Sequence, residues 1–359
     1  MIIIISKKSL KGIFYFEKFF VYLIYQNRKI MTSLYNAIEK KAIEKMKNEK
    51  WRHYHSFSNH IEPMVQKIMS DTTLSDTDRT ILRLAAIYHD VVYDPLSKNN
   101  EELSNEYFLN NYIPSSKEDE FICKKVSEII LATKLHKSND ELVRKFLKLD
   151  LSNFEGEFST VIKNQMLIRK EYQVYELNEF KAGSTAVLKS FLDSDLLSDN
   201  AKNNLRNLIE FLKTWIPKIG IYVGSFSPMH IGHLDIIKKA EKLFDEVIIV
   251  FAKNFSKEGS EITIPDALKY HRVIKFEGAI NDLIVSHDYP ITLIRGLRNT
   301  SDFQAEMNYQ TFLKEINPNI NTINIFASPE YLHISSTSVR ELIKVYGIES
   351  ELVKKYLVC

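Results

Sequence analysis

The chain has almost no cysteine. Its 359 residues include two, Cys123 and Cys359, far apart and without metal-type spacing. This excludes a disulfide framework and points to a reducing compartment, the cytoplasm. An excess of charge of one sign is also missing: 48 Lys and Arg oppose 46 Asp and Glu, a net +2. Bulk charge therefore makes no case for nucleic acid as a partner, and any basic site has to be local. Long apolar runs are lacking too. Residues 1–30 are rich in Ile, Phe and Tyr, but Lys7, Lys8, Lys11, Glu17 and Lys18 interrupt them. No stretch approaches the ~18 residues of a spanning helix, and no small-residue cleavage site follows. No membrane partner is expected, a peripheral amphipathic anchor being the alternative for this stretch. From Met31 an amphipathic helical pattern starts behind Thr32 or Ser33 as cap. The functional chain is expected to begin there, with residues 1–30 a dispensable extension.

At this length two domains are expected, because single cores seldom exceed roughly 250 residues. Residues 34–212 carry apolar spacings of three and four almost throughout, including 61–69, 81–93, 121–133, 142–149 and 205–212, so this half reads as all-α. Trp215-Ile216-Pro217-Lys218 closes it as a short linker without a Gly/Ser run. The boundaries predicted are 31–214 for the helical domain, 215–218 for the linker and 219–359 for the second domain.

The helical half holds a constellation: Arg52-His53-Tyr54-His55 with His60, then Tyr88-His89-Asp90 running to Asp94-Pro95, then Asn100-Glu101-Glu102, then Asp150. Imidazoles and carboxylates on neighbouring helices are ordinary ligands of a divalent metal. Adjacent residues on a helix point about 100° apart, so His89 and Asp90 can share an ion only if it lies between them. Other positions are left for His60, Asp150 and water. The pattern resembles the HD superfamily of metal-dependent phosphohydrolases, and within it one branch, over residues 51–212. Ile130 to Thr133 with His136, residues 146–151, and Arg169 to Tyr172 fit that branch. The resemblance implies His60, His89, Asp90 and Asp150 as metal ligands. Two departures stand out: Lys148 replaces an acid, and the step from His55 to His60 is one residue longer.

The second half is organised around Gly224-Ser225-Phe226-Ser227-Pro228-Met229-His230-Ile231-Gly232-His233, between the apolar runs 219–223 and 234–243. That is a strand, a tight loop and a helix, whose free amides and positive dipole end suit a phosphate. His230 and His233 can face one bound group there. Beyond it, strands are expected at 247–252, 291–294 and 322–327, with helices at 267–273 and 302–316. This alternation implies a Rossmann-like parallel sheet with covering helices, and ligands bind beyond the carboxyl ends of its strands. An H-x-G-H so placed resembles the nucleotidyltransferase superfamily. Arg295-Gly296-Leu297-Arg298, continuing through Asp302-Phe303 to Met307 and followed by Ile334-Ser335-Ser336-Thr337, resembles the phosphopantetheine adenylyltransferase family over residues 219–359.

That resemblance implies transfer of the adenylyl group of ATP to 4′-phosphopantetheine, giving dephospho-coenzyme A and pyrophosphate, with Mg2+ on ATP and a homo-oligomeric assembly. It assigns ATP to Ser225, Phe226, His230, His233, Gly296, Leu297, Arg298, Glu306 and Tyr331 to Thr337, including Ser335 and Ser336. Ser225, Lys257, Arg295 and Ile280 fall to phosphopantetheine, and His233, Lys257 and Arg298 to catalysis. Ser227 stands where that family has Asp. The turn is shared with nicotinamide mononucleotide adenylyltransferases, the alternative reading, but residues 295–307 argue against it. The expectation is an enzyme with two active centres. A nucleotide-binding module with a non-catalytic HD domain, or a helical half that only docks the transferase, are the competing classes.

Overall fold

The computed structural model describes residues 37–252 and 264–358. The expectations for residues 1–30, for the Thr32 or Ser33 cap and for Lys257 lie outside them. The chain divides into two compact units, one ending at Leu149 and one starting at Asp150.

The first unit is helical: α1 (Ala37–Asn48), α2 (Glu62–Ser70), α3 (Asp76–Tyr88), α4 (Asn100–Asn111), α5 (Lys117–Ala132) and α6 (Glu141–Asp150). Serines start several of them. Ser75 Oγ accepts from Asp78 N at 3.1 Å and Ser116 Oγ from Asp119 N at 3.0 Å, with acidic first turns beyond each. These side chains satisfy amides that have no partner inside the helix. Ile81, Ala85, Ala86 and Ile87 of α3 are fully buried and form the centre of the core.

The helix expected to run from 81 to 93 ends at Tyr88. Arg52, itself buried, donates to the carbonyl oxygens of Asp90 and Val91. It thus supplies donors to carbonyls just beyond the point where the helix's own N–H donors run out. His89 is the last residue with helical backbone and Asp90 lies beyond it, so the 100° constraint expected of adjacent helical residues does not apply. His60 sits in a single π-helical turn, Phe57–Ile61. A turn of i→i+5 type takes in one more residue than an α-helical turn.

The second unit opens with α7 (Phe158–Glu171), α8 (Leu177–Phe191) and α9 (Asp199–Thr214), followed by the sheet. The break expected at 215–218 therefore falls inside this unit. Arg169, 1% exposed, forms an ion pair with Glu246 at 2.8 Å. Leu177 joins the apolar cluster of Ile219, Ile221 and Leu293. These contacts tie the helices to the sheet.

Strands β1 (Ile219–Gly224), β2 (Glu246–Ala252), β3 (Val273–Phe276), β4 (Ile291–Leu297) and β5 (Asn321–Phe326) form one parallel sheet in the order β3-β2-β1-β4-β5. Tyr222 pairs in register with Ile249 on one side and Ile294 on the other. The near-continuous apolar runs of β1 and β2 fit strands covered on both faces. Chain order reverses between β1 and its neighbours β2 and β4, which puts the crevice for a ligand at their carboxyl ends. The helix expected at 267–273 is not formed. A 3-10 turn, Asp266–Leu268, buries Leu268, and Val273, Ile274 and Phe276 then form the edge strand β3, opposite residues 249–252. β-Branched residues favour that pleated edge over a helix. The remaining helices are α10 (Ile231–Ala240), α11 (Ile280–Val285), α12 (Thr300–Ile316), α13 (Ser336–Tyr346) and α14 (Glu351–Lys354). Among the described residues no helix is long and apolar enough to cross a membrane.

Candidate active site

β1 ends at Gly224, where a Cβ would come 2.8 Å from the Phe226 ring. Only glycine lets that ring fold back over the strand end. Phe226 pays for the turn with a left-handed backbone, φ 43°, a conformation that costs about 1–2 kcal/mol for a residue with a Cβ. Its ring lies edge-on to His233, with centroids 5.0 Å apart. The turn thereby delivers His230 as N-cap of α10 and His233 in its first turn, the two rings stacked at 3.6 Å.

This arrangement sets a tautomer. His230 N–H donates to His233 Nδ1 at 3.2 Å, so Nδ1 carries a lone pair and the ring proton belongs on Nε2. Burial, then His230 and Arg298, hold the His233 pKa well below its ordinary value. His233 is a neutral N–H donor at neutral pH. Burial and Arg298 likewise lower His230, to about 4.

His230 makes stability pH-dependent. Its folded pKa lies below the ordinary 6.5, so the unfolded chain binds more protons between those values. The stability of the neutral ring is fully present above about 6.5 and is lost as pH falls toward 4. At ~1.4 kcal/mol per unit, something on the order of 3 kcal/mol is involved. Thermal melts at pH 7 and pH 4.5 should separate more in the wild type than in His230→Gln; equal separations would remove His230 as the cause.

The carboxyl end of β4 supplies Arg295 to Leu297, and the turn into α12 supplies Arg298. Each arginine is held by an acid of α12. Arg295 Nε and Nη2 meet Glu306 at 2.7 and 2.5 Å, and Arg298 Nε and Nη2 meet Asp302 at 2.8 and 3.0 Å. The carboxylates grip one edge of each guanidinium, and among the described residues no hydrogen bond engages either Nη1. A fork fixed on one edge keeps its other donors pre-oriented for phosphate. Gly296 lies between them.

The third wall is the start of α13. Ser335 caps it reciprocally with Ser338, at 3.0 and 2.9 Å. Ser336 Oγ donates to the Pro228 carbonyl at 3.1 Å, and Arg340 donates to the Ser227 carbonyl, so the glycine-led turn and this helix brace each other. A cavity of about 350 Å³ lies between these walls, at the carboxyl edge of the sheet. His230, His233, Gly296, Leu297, Arg298, Glu306, Tyr331, Ser335, Ser336 and Thr337 line it. Ser225 is exposed and Phe226 buried, and neither lines the cavity; nor do Arg295 and Ile280, the latter packing against the core of the opposite face. Two polar side chains of the lining, Asp302 and Tyr222, escaped the sequence reading. Asp302 could have been found from its i+4 spacing to Arg298; Tyr222 gave no signal, being one more aromatic residue in an apolar strand.

In the helical unit, His60 Nε2 and His89 Nε2 lie 3.1 Å apart. Asp90 Oδ2 is 3.3 Å from the second and 3.7 Å from the first. His89 Nδ1 contacts the Ala86 carbonyl at 3.0 Å, and the His89 ring meets Phe146 of α6 edge-on at 5.4 Å. α6 buries Val143, Phe146 and Leu147 and carries Asp150 as its last residue. One ligand atom each of His60, His89 and Asp150 falls within 4.8 Å of the others. Of the four residues expected as metal ligands, His60, His89 and Asp150 thus form one set, and Asp90 lies against the two imidazoles. Burial would raise the Asp90 pKa, but His89, His55 and His60 outweigh it and hold the carboxyl below its usual range. His55 stacks on Tyr93 at 4.2 Å, beside the cluster.

A family model described as cytidylyltransferase-like matches residues 221–342. A phosphopantetheine adenylyltransferase of Streptococcus pneumoniae (strain CGSP14) is 38% identical over 136 residues, covering 35% of this chain and 84% of that relative. One from Bdellovibrio bacteriovorus is 35% identical over 133 residues, covering 35% of this chain and 83% of the relative.

Proposed function

Through its C-terminal region the chain belongs to the phosphopantetheine adenylyltransferase family, and we propose that it joins ATP and 4′-phosphopantetheine into dephospho-coenzyme A and pyrophosphate. One observation carries this reading: a neutral Nε2–H donor, His233, and the guanidinium of Arg298 line one cavity at the sheet's carboxyl edge, with Arg295 two residues before Leu297 on the same strand.

No protein nucleophile is needed. An oxygen of the acceptor phosphate attacks the α-phosphorus of ATP, the bond to the β-phosphate oxygen breaks, and pyrophosphate leaves with that electron pair. The protein's task is to hold both phosphates in line, an advantage worth roughly 7–11 kcal/mol. The amides at the start of α10 and the His233 Nε2–H serve the charge that builds at the α-phosphate. Asp302 and Glu306, the acids of the cavity lining, are already engaged by Arg298 and Arg295. That donor set suits Mg2+ arriving on the triphosphate rather than on a carboxylate of the wall; bound there, the ion neutralises phosphate charge.

Arg295 is assigned to the acceptor phosphate. Hydrogen bonds to charged groups are worth ~1.5–3 kcal/mol, so Arg295→Ala should raise the KM for phosphopantetheine about tenfold to a hundredfold while the ATP affinity stays within about twofold. Steady-state kinetics with each substrate varied tests this. An equal loss of ATP affinity would contradict the assignment.

For the helical unit we infer a divalent-metal centre of HD type with phosphohydrolase chemistry, ligated by His60, His89, Asp90 and Asp150. Two nitrogens 3.1 Å apart suit two imidazoles bound to one ion at ~2.1 Å each, roughly at a right angle. With His89 Nδ1–H donating to Ala86 O, its Nε2 carries the lone pair that would ligate the ion, and the carbonyl orients the ring. Such an ion would activate a water against a phosphoester.

A further inference from the structure

Tyr222 lies at the fourth position of β1, on the face covered by α10, and is 6% exposed. Its ring is fixed from two sides. It meets Phe226 edge-on at 5.3 Å, and the His233 ring is tilted against it at 6.4 Å. Its oxygen comes to rest beside Gly296, where a Cβ would stand 3.1 Å away. A side chain at position 296 would crowd the hydroxyl as well as Ile236, so the absence of a Cβ keeps this place open. Both Tyr222 and Gly296 line the cavity. Among the described residues no hydrogen bond engages the hydroxyl.

A buried tyrosine usually finds a partner for its hydroxyl, because leaving it unpaired costs about 1–3 kcal/mol. Here the unpaired group belongs to a residue of the cavity lining, which also presents His233, Arg298, the Arg-paired acids Asp302 and Glu306, and the hydroxyls of Ser335 to Thr337. Burial is the dominant influence on its pKa and pushes it up; Arg295 and Arg298 oppose this, and Glu306 adds to it. The phenol therefore stays protonated and remains a donor. A neutral O–H that shares a cavity with the His233 N–H and the Arg298 guanidinium is suited to an anion, since an acceptor-only ligand is what all three groups lack. The adenine end of a nucleotide would not use it in this way.

We propose that the Tyr222 hydroxyl is a further phosphate-binding donor of this pocket, directed to the reacting phosphoryl group of the nucleotide alongside His233 and Arg298. This rests on the adenylyl-transfer reading of the cavity. The role goes to a residue that neither the H-x-G-H turn nor the Arg-Gly-Leu-Arg stretch contains.

Tyr222→Phe removes one oxygen and keeps the ring packed on Phe226 and His233. In the full-length protein, turnover of ATP with 4′-phosphopantetheine should fall about tenfold to a hundredfold, with an unchanged melting temperature. Titration calorimetry adds a second readout: any loss of affinity should be seen with ATP and not with adenosine, which has no phosphate. Wild-type kinetics and wild-type ATP affinity in the variant would overturn the proposal. So would a parallel loss for adenosine, or a lowered melting temperature that accounts for the lost activity. If the wild type does not turn over phosphopantetheine, the substrate reading fails by itself. The ratio of ATP to adenosine affinities then still decides Tyr222, with an unchanged ratio counting against it.

Discussion

His233→Ala should lower turnover by about 10²-fold or more while changing the KM for ATP far less, because the hydrogen bond it removes strengthens only as charge builds on the α-phosphate. The geometry specifies which nitrogen does this. His230 N–H occupies Nδ1 at 3.2 Å, so the donor is Nε2–H on a ring kept neutral by burial. His233→Asn, whose short side chain retains a donor amide but not its reach, should recover little. Removing the ring also removes the 3.6 Å stack on His230, so melting temperatures belong beside the kinetics. A variant that is folded, binds ATP and retains wild-type turnover would take His233 out of the chemistry.

The second large effect concerns the helical unit. Asp90→Ala should abolish divalent metal binding, read by elemental analysis of the purified protein, and leave adenylyl transfer within about twofold. The carboxylate lies 3.3 Å from His89 Nε2, and without it two imidazole nitrogens 3.1 Å apart lose an anionic co-ligand and the charge that offsets a cation. Among the described residues the cavity of the C-terminal region is lined by positions between 222 and 337, which is why adenylyl transfer should persist. A wild type that carries no metal would leave the phosphohydrolase reading without support. Loss of both activities in a folded Asp90→Ala protein would contradict two separate centres.

How much of this could be read in the sequence differs from place to place, for physical reasons. The strand, turn and helix from Ile219 to Ala240 were legible because a buried parallel strand is a continuous apolar run and the turn is marked by glycines. β3 was not: four residues at a sheet edge, preceded by a buried leucine, read as a helical spacing when the neighbour strand is unseen. The end of α3 escaped because the device that stops it, Arg52 on the carbonyls of Asp90 and Val91, is 38 residues away in sequence. The π-helical turn Phe57–Ile61 that carries His60 was not legible either, because a single i→i+5 turn leaves no mark in an apolar spacing. Cations could be assigned to phosphates from residue type alone. Their pairing with Glu306 and Asp302, which orients them, required α12 to be in place. Tyr222 is the limiting case, since its ring belongs to the core and only its oxygen belongs to the site.

The central claim is the identity of the reaction, and pyrophosphate release measures it directly. With the full-length protein, ATP and Mg2+, 4′-phosphopantetheine as acceptor should give steady pyrophosphate production with stoichiometric dephospho-coenzyme A, and nicotinamide mononucleotide should give none. Efficient turnover of the mononucleotide with none of phosphopantetheine would contradict the account.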